Sequence, residues 1–154
     1  MIFKTYIQGL SWLSLSGLPL SSLPSCIGDL TNLEVLCLNN CEGLEELPAS
    51  FTNLQAITEL YLSGTHISSL PETFGNLTKL RVVDLSRCPL RSLPQSILNL
   101  PAETKILLDW YELSPQEFKK LSLTIHAENY SGPIIDSHMK EVDFNFIRNI
   151  AKLI

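Results

Sequence analysis

Residues 36–54 read LCLNNCEGLEELPASFTNL, with leucines at 36, 38, 44, 47 and 54 and a proline, Pro48, after the fourth. An amphipathic helix spaces its apolar residues three and four apart, and a half-buried strand alternates them. This stretch keeps neither rule for long. The same frame returns along the chain. Leu-Pro pairs stand at Leu23-Pro24, Leu47-Pro48, Leu70-Pro71 and Leu93-Pro94, an interval constant to within one residue. Upstream of each lies LSWLSL (10–15), LEVLCL (33–38), ITELYL (57–62) or LRVVDL (80–85). Downstream lies SCIGDL (25–30), ASFTNL (49–54), ETFGNL (72–77) or QSILNL (95–100). A degenerate fifth copy, ETKILLD from Glu103, sets Ile106 and Leu108 one such interval after Val83 and Leu85.

In each LxxLxL the chain is a short strand. Leu36 and Leu38 point to one face, Val35 and Cys37 to the other. One unit cannot bury its own leucines, so the same row must lie above and below it. Stacking places the strands in a parallel sheet along one side. Proline, which donates no hydrogen bond, ends each ladder. The pairs Ile27/Leu30, Phe51/Leu54, Phe74/Leu77 and Ile97/Leu100 close the core from the opposite side.

The four clear copies resemble the leucine-rich repeat, a unit of about 20–29 residues reading L-x-x-L-x-L-x-x-N/C-x-L. The resemblance covers residues 10 to about 109 and implies an α/β leucine-rich repeat solenoid. Its short parallel β-sheet lies on the concave face, its convex side is 3-10 or irregular, and a helical cap closes the C-terminus. The organisation read from this is an N-terminal edge segment over 1–9, about five repeats over 10–109, and a C-terminal cap with short helices over 110–154. The Asn/Cys position is filled by Leu18, Cys41, Thr65 and Cys88. Cys41 and Cys88 are expected to be buried and structural. Repeat two carries one extra residue, so Glu42-Gly43 should bulge.

With 154 residues and 45% hydrophobic content, the chain is one domain's length and can bury a core. Its net charge of -5 argues against a nucleic-acid face, which needs clustered Lys and Arg, and against a basic membrane-surface helix. No apolar run reaches the roughly 18 residues of a membrane span. The N-terminal stretch through Cys26 loosely mimics a secretion signal. Leu10, Leu13, Leu15, Leu20 and Leu23 nevertheless fall on the repeat, which assigns them to the fold.

Site chemistry is sparse. The cysteines Cys26, Cys37, Cys41 and Cys88 form no C-x-x-C and no cysteine-rich cap, which points to a reducing, cytoplasmic compartment. The frame aims Cys37 outward on the concave face and makes it the readily modified thiol there. His66, His126 and His138 have no ligand-spaced partner, so no metal is expected. The run Asp136-Ser137-His138 holds triad residue types, but three consecutive residues cannot adopt triad geometry. There is no phosphate-cradling glycine loop. The sequence therefore implies no catalytic residue and no cofactor.

The repeat frame also names the concave wall. One column is Trp12, Val35, Glu59, Val82 and Lys105; the central column is Ser14, Cys37, Tyr61, Asp84 and Leu107. Next come Ser16, Asn39, Ser63, Ser86 and Asp109, then Gly17, Asn40, Gly64, Arg87 and Trp110. Apolar and aromatic residues beside charges resemble a protein-binding surface. The candidate contacts are Trp12, Val35, Cys37, Glu59, Tyr61, Val82, Asp84, Arg87, Lys105 and Trp110. The bland alternative is that Glu59, Asp84 and Arg87 pair across strands and that the N-terminal segment covers Trp12.

Beyond Leu108, Ser114-Pro115 reads as a helix N-cap and first residue. ENYSGPIIDSHM reads as irregular, and Val142, Phe146, Ile147, Ile150 and Ile154 fall at helical spacing. LDWYELSPQEFKKL…AENYSGPIIDSHM resembles, in part, the closing segment of bacterial secreted leucine-rich-repeat effectors of the ubiquitin-ligase type. The matching residues are Leu108, Leu113, Ser114, Tyr130, Gly132, Pro133, Ile135 and Met139. That resemblance implies a recognition half without a ligase, because no cysteine here has an aspartate two places on. LCLNNCEGLEELP and LDLSRCPLRSLP resemble repeats of plant intracellular immune receptors. The expected function is non-enzymatic binding of another protein, with a host protein as the partner of an effector. A ubiquitin-ligase recognition fragment and a module self-associating through its N-terminal edge are the alternatives.

Overall fold

The computed structural model describes residues 8–109, 113–125 and 131–137. Six short strands, β1 (Trp12–Ser14), β2 (Val35–Cys37), β3 (Glu59–Tyr61), β4 (Val82–Leu85), β5 (Lys105–Leu108) and β6 (Ile134–Ser137), form one sheet in chain order. Every neighbouring pair is parallel. The repeat sets the register: Leu13 lies beside Leu36, then Leu60, Val83, Ile106 and Ile135. Leu36, Leu60, Val83 and Ile106 are wholly excluded from solvent.

Each Leu-Pro pair opens a tight turn. The carbonyls of Pro24, Pro48, Pro71 and Pro94 accept from the amides of Ile27, Phe51, Phe74 and Ile97 at 2.9–3.0 Å. Four 3-10 turns follow, at Ser25–Asp29, Ala49–Asn53, Phe74–Asn76 and Gln95–Asn99. Proline suits this position because its fixed φ is pre-set and its missing N–H leaves nothing unpaired. Phe51 and Phe74 are fully buried from the convex side. The turns stack tightly there. A Cβ on Gly75 would run into the Ser96 backbone, and one on Gly28 into that of Ser50. Ser50 Oγ donates to the Ser25 carbonyl at 2.7 Å, tying one turn to the one before it.

At the Asn/Cys position the two cysteines are buried as the frame implies, whereas Leu18 is exposed. Cys41 and Cys88 are buried, and their thiols donate to the Leu15 and Leu62 carbonyls of the preceding coils, each at 3.1 Å. The extra residue of repeat two is taken up by a turn in which the Leu44 amide donates to the Cys41 carbonyl at 3.0 Å. Gly43, in that turn, lies so near the Leu20 carbonyl that a Cβ would sit 2.7 Å from it.

The last coil departs from the sequence expectation. Helix α1 (Pro115–Ile125) forms as expected, with the Glu117 amide donating to Ser114 Oγ at 3.3 Å. The stretch read as irregular contains β6, however. Ile134 is the register partner of Lys105, a longer step along the chain than the one from Val82 to Lys105. This coil takes α1 where the others take a 3-10 turn. Leu113 is buried in the place that Leu90 holds one coil earlier, and the Ser114 amide donates to the Arg91 carbonyl at 3.1 Å. The expected helix near the C-terminus and most of segment 1–9 lie outside the described residues.

Candidate functional site

Parallel pairing sets the outward side chains in columns. Trp12, Val35, Glu59, Val82 and Lys105 are successive register partners, and β6 adds Ile134 to their column. Ser14, Cys37, Tyr61, Asp84 and Leu107 form the next column. Trp12 is 59% exposed and Ile134 51% exposed; Arg87 and Lys105 are also exposed. Val35, Cys37, Glu59, Tyr61, Val82 and Asp84 are half-buried. Trp110 lies outside the described residues. Ile134 escaped the sequence reading because the longer last coil breaks the period. Its signal was the β-branched pair Ile134-Ile135 after Gly132-Pro133.

At the centre of the wall, Tyr61 donates its phenol proton to Glu59 Oε2 at 2.7 Å. That bond, then burial, then the charges of Glu59, Cys37 and Asp84 push the phenol up to about 12. Cys37 lies opposite Tyr61. Burial, and secondly the Glu59 carboxylate, raise its thiol. Half-burial beside a carboxylate disfavours the thiolate that reacts at Cys37, the thiol that the sequence reading singled out on the concave face. Cys26 is the exposed cysteine instead.

The fourth column is conformationally uniform. Gly17, Asn40, Gly64 and Arg87 all have positive φ, at 73°, 59°, 73° and 58°. Glycine and asparagine tolerate this region, whereas for arginine it is strained. The Arg87 amide donates to Asp109 Oδ2 at 2.6 Å. Its guanidinium reaches back to Ser63 Oγ and Asn40 Oδ1, both at 3.3 Å, passing over Gly64. A Cβ on Gly64 would stand 2.6 Å from Asn40 Oδ1.

Among the described residues, Glu59, Asp84 and Arg87 do not pair with one another across strands. Glu59 is bonded to a phenol, Asp84 Oδ1 accepts from the Ser86 amide at 3.0 Å, and Arg87 is engaged with neutral oxygens. Among the described residues, no three His, Cys, Asp or Glu side chains come together to hold a metal ion. Pro94, Gln95, Leu98, Glu117, Lys120 and Leu121 line a shallow cleft between α1 and the last 3-10 turn.

Residues 29–112, more than half of the chain, match the family described as disease resistance protein RPS4B-like, leucine-rich repeats. The chain belongs to that leucine-rich-repeat family. No curated protein matches it. Among solved structures, it is similar to a leucine-rich-repeat protein of Leptospira interrogans, with 25% identity and a TM-score of 0.44, over 68% of this chain and 34% of that one. The chain thus spans about a third of the Leptospira protein's length. It is also similar to the leucine-rich-repeat domain of a Shigella effector, with 18% identity and a TM-score of 0.32, over 88% of this chain and 84% of that one. Repeat stacks of this kind are protein–protein interaction modules and, as a rule, scaffolds rather than enzymes. Among the described residues, no helix is long and apolar enough to cross a membrane.

Proposed function

We propose that the chain is a non-enzymatic module that grips a partner protein with its concave face, through Trp12, Val35, Cys37, Glu59, Tyr61, Val82, Asp84, Arg87, Lys105 and Trp110. One observation carries this reading. Strand register gathers an exposed tryptophan, a tyrosine, two valines and two carboxylates onto one wall, a mixture suited to a protein contact. On this reading the repeats over 10–109, joined by β6, supply the wall, and 110–154 is the closing segment. Area limits the strength of the contact. Six strands about 4.8 Å apart and three or four residues wide span roughly 24 Å by 12 Å, against about 800 Å² per partner in a standard interface. The partner therefore also touches the flanking loops or binds weakly. All four cysteines are free, which supports a reducing compartment such as a cell's cytosol.

The test is capture of a partner by the wild-type chain and by the Tyr61→Ala/Arg87→Ala double variant. The double variant is expected to lose the partner. Equal recovery would move the site to the convex side or to α1.

In its finer form, this reading makes the chain a bacterial effector, or the recognition part of a ubiquitin-ligase effector, with a host protein as partner. Its support is the partial resemblance at Leu108, Leu113-Ser114, Gly132-Pro133 and Ile135. Ubiquitin discharge dependent on any of the four cysteines would overturn the non-enzymatic reading. Self-association is a second reading, favoured by the exposure of Trp12 and Leu18 (44%) on the first coil. A monomer by light scattering at high concentration would remove it.

A further inference from the structure

We propose that the partner presents a lysine or arginine flanked by an aliphatic residue, and that Tyr61, Glu59 and Asp84 seat that cation while Val35 and Val82 take the aliphatic neighbour. This rests on the concave-face reading above and names the chemistry of its partner.

The argument is one of charge complementarity. Tyr61 lies directly opposite Asp84, with Glu59 two residues back on the same strand and face, so two carboxylates bracket one aromatic ring. Among the described residues, neither carboxylate meets a cation. The hydrogen-bond donors to them are a phenol and a backbone amide. Among the described residues no cation pairs with either one: Arg87 is drawn to Asn40 and Ser63, Lys105 lies two strands from Glu59 in the same column, and neither Lys105 nor Arg81 bonds to Glu59 or Asp84. The Glu59 hydrogen bond, then burial, then the charges of Glu59, Cys37 and Asp84 push the phenol up to about 12.

The ring has the right disposition too. Its hydroxyl is tied to the Glu59 carboxylate, which holds the ring beside that charge on the outward face of the sheet. A cation above that face meets the ring quadrupole and both carboxylates together. Val35 and Val82 flank Glu59 on either side in the first column and offer apolar surface to the stem of a long basic side chain or to its neighbour. An acidic partner residue would meet like charge here.

The experiment pans a displayed library of random dodecapeptides against the full chain, against Glu59→Gln/Asp84→Asn, and against Trp12→Ala. Both carboxamides are isosteric and keep an oxygen for Tyr61 and for the Ser86 amide. Circular dichroism checks that each variant folds. The expected winners on the wild type carry Lys or Arg beside Leu, Ile or Val. A synthesised winner should bind the double carboxamide variant at least about tenfold more weakly, and Glu72→Gln, on the turn side, unchanged. Replacing the winner's arginine by citrulline reads the same loss on the wild type if the double variant does not fold. Winners without a basic residue, or with unchanged affinity, overturn the inference. If such winners still weaken on Trp12→Ala, the concave-face reading stands and only the cation seat falls. A library that yields no binder counts against both.

Discussion

Cys37 and Tyr61 face each other across β2 and β3, with Glu59 beside both. One carboxylate therefore acts on two groups in the same direction. It raises the Cys37 thiol, second to burial, and accepts the Tyr61 proton. For Tyr61 the sign is that of a group whose folded value is raised. Its bond to Glu59 contributes fully below about pH 10, where an unfolded tyrosine titrates, and is lost as pH climbs through about 12. For Cys37 the raised value means less thiolate at any working pH. Alkylation with iodoacetamide near pH 8, followed by peptide mass mapping, should modify exposed Cys26 first and Cys37 more slowly. Buried Cys41 and Cys88 should react only on unfolding. Glu59→Gln should speed Cys37, because one cause of its raised value is gone. Faster labelling of Cys37 than of Cys26 in the wild type would contradict this account. Strand alternation reveals which way Cys37 points. It does not reveal how deep the residue lies, nor that Glu59 stands beside the facing tyrosine. Arg87 shows the same limit: its partner Asn40 lies two coils back, a separation at which no local pattern speaks.

At the level of elements, the period did most of the work, because a constant spacing fixes register wherever every coil has the same length. That is why the columns through Trp12, Val35, Glu59, Val82 and Lys105 were legible, and why β6 was not. A helix of 11 residues replaces a turn of three to five, the Leu-Pro marker is gone, and the next strand comes late. The short turns also carry a constraint hidden in the sequence. Gly75 is needed because the Ser96 backbone occupies the space of a side chain, whereas Gly17 is needed only for its φ of +73°, with open space around it. Gly75→Ala should therefore destabilise by more than about 2 kcal/mol, since backbone on both sides must shift. Gly17→Ala should cost about 1 kcal/mol, the usual strain of a left-handed residue. Urea denaturation of both variants checks the order. A Gly75→Ala protein as stable as wild type would mean that the convex turns are not in backbone contact.

Across the whole molecule, burial grades along the stack. Leu10, Leu13 and Leu15 of the first coil are only partly buried, while Leu36, Leu38, Leu60 and Leu62 are wholly excluded from solvent. Each inner coil has a neighbour on both sides, and in a linear array stability is approximately the sum of coil terms and nearest-neighbour interfaces. Leu60 lies between Leu36 and Val83 in the inward row, so truncating it opens a cavity touching two interfaces. Leu60→Ala should cost about 2–5 kcal/mol, the range for fully buried leucines that cannot collapse around the void. Leu13→Ala, at a partly buried site next to one described coil, should cost less than about 1.5 kcal/mol. Amide hydrogen exchange separates the two cases further. In Leu13→Ala, β1 and β2 should lose protection while β4 and β5 keep theirs; in Leu60→Ala, protection should fall across the whole sheet. If β5 lost as much as β1 in the Leu13→Ala protein, the molecule would open all at once, and the coil-by-coil additivity that a stacked array implies would fail for a chain this short.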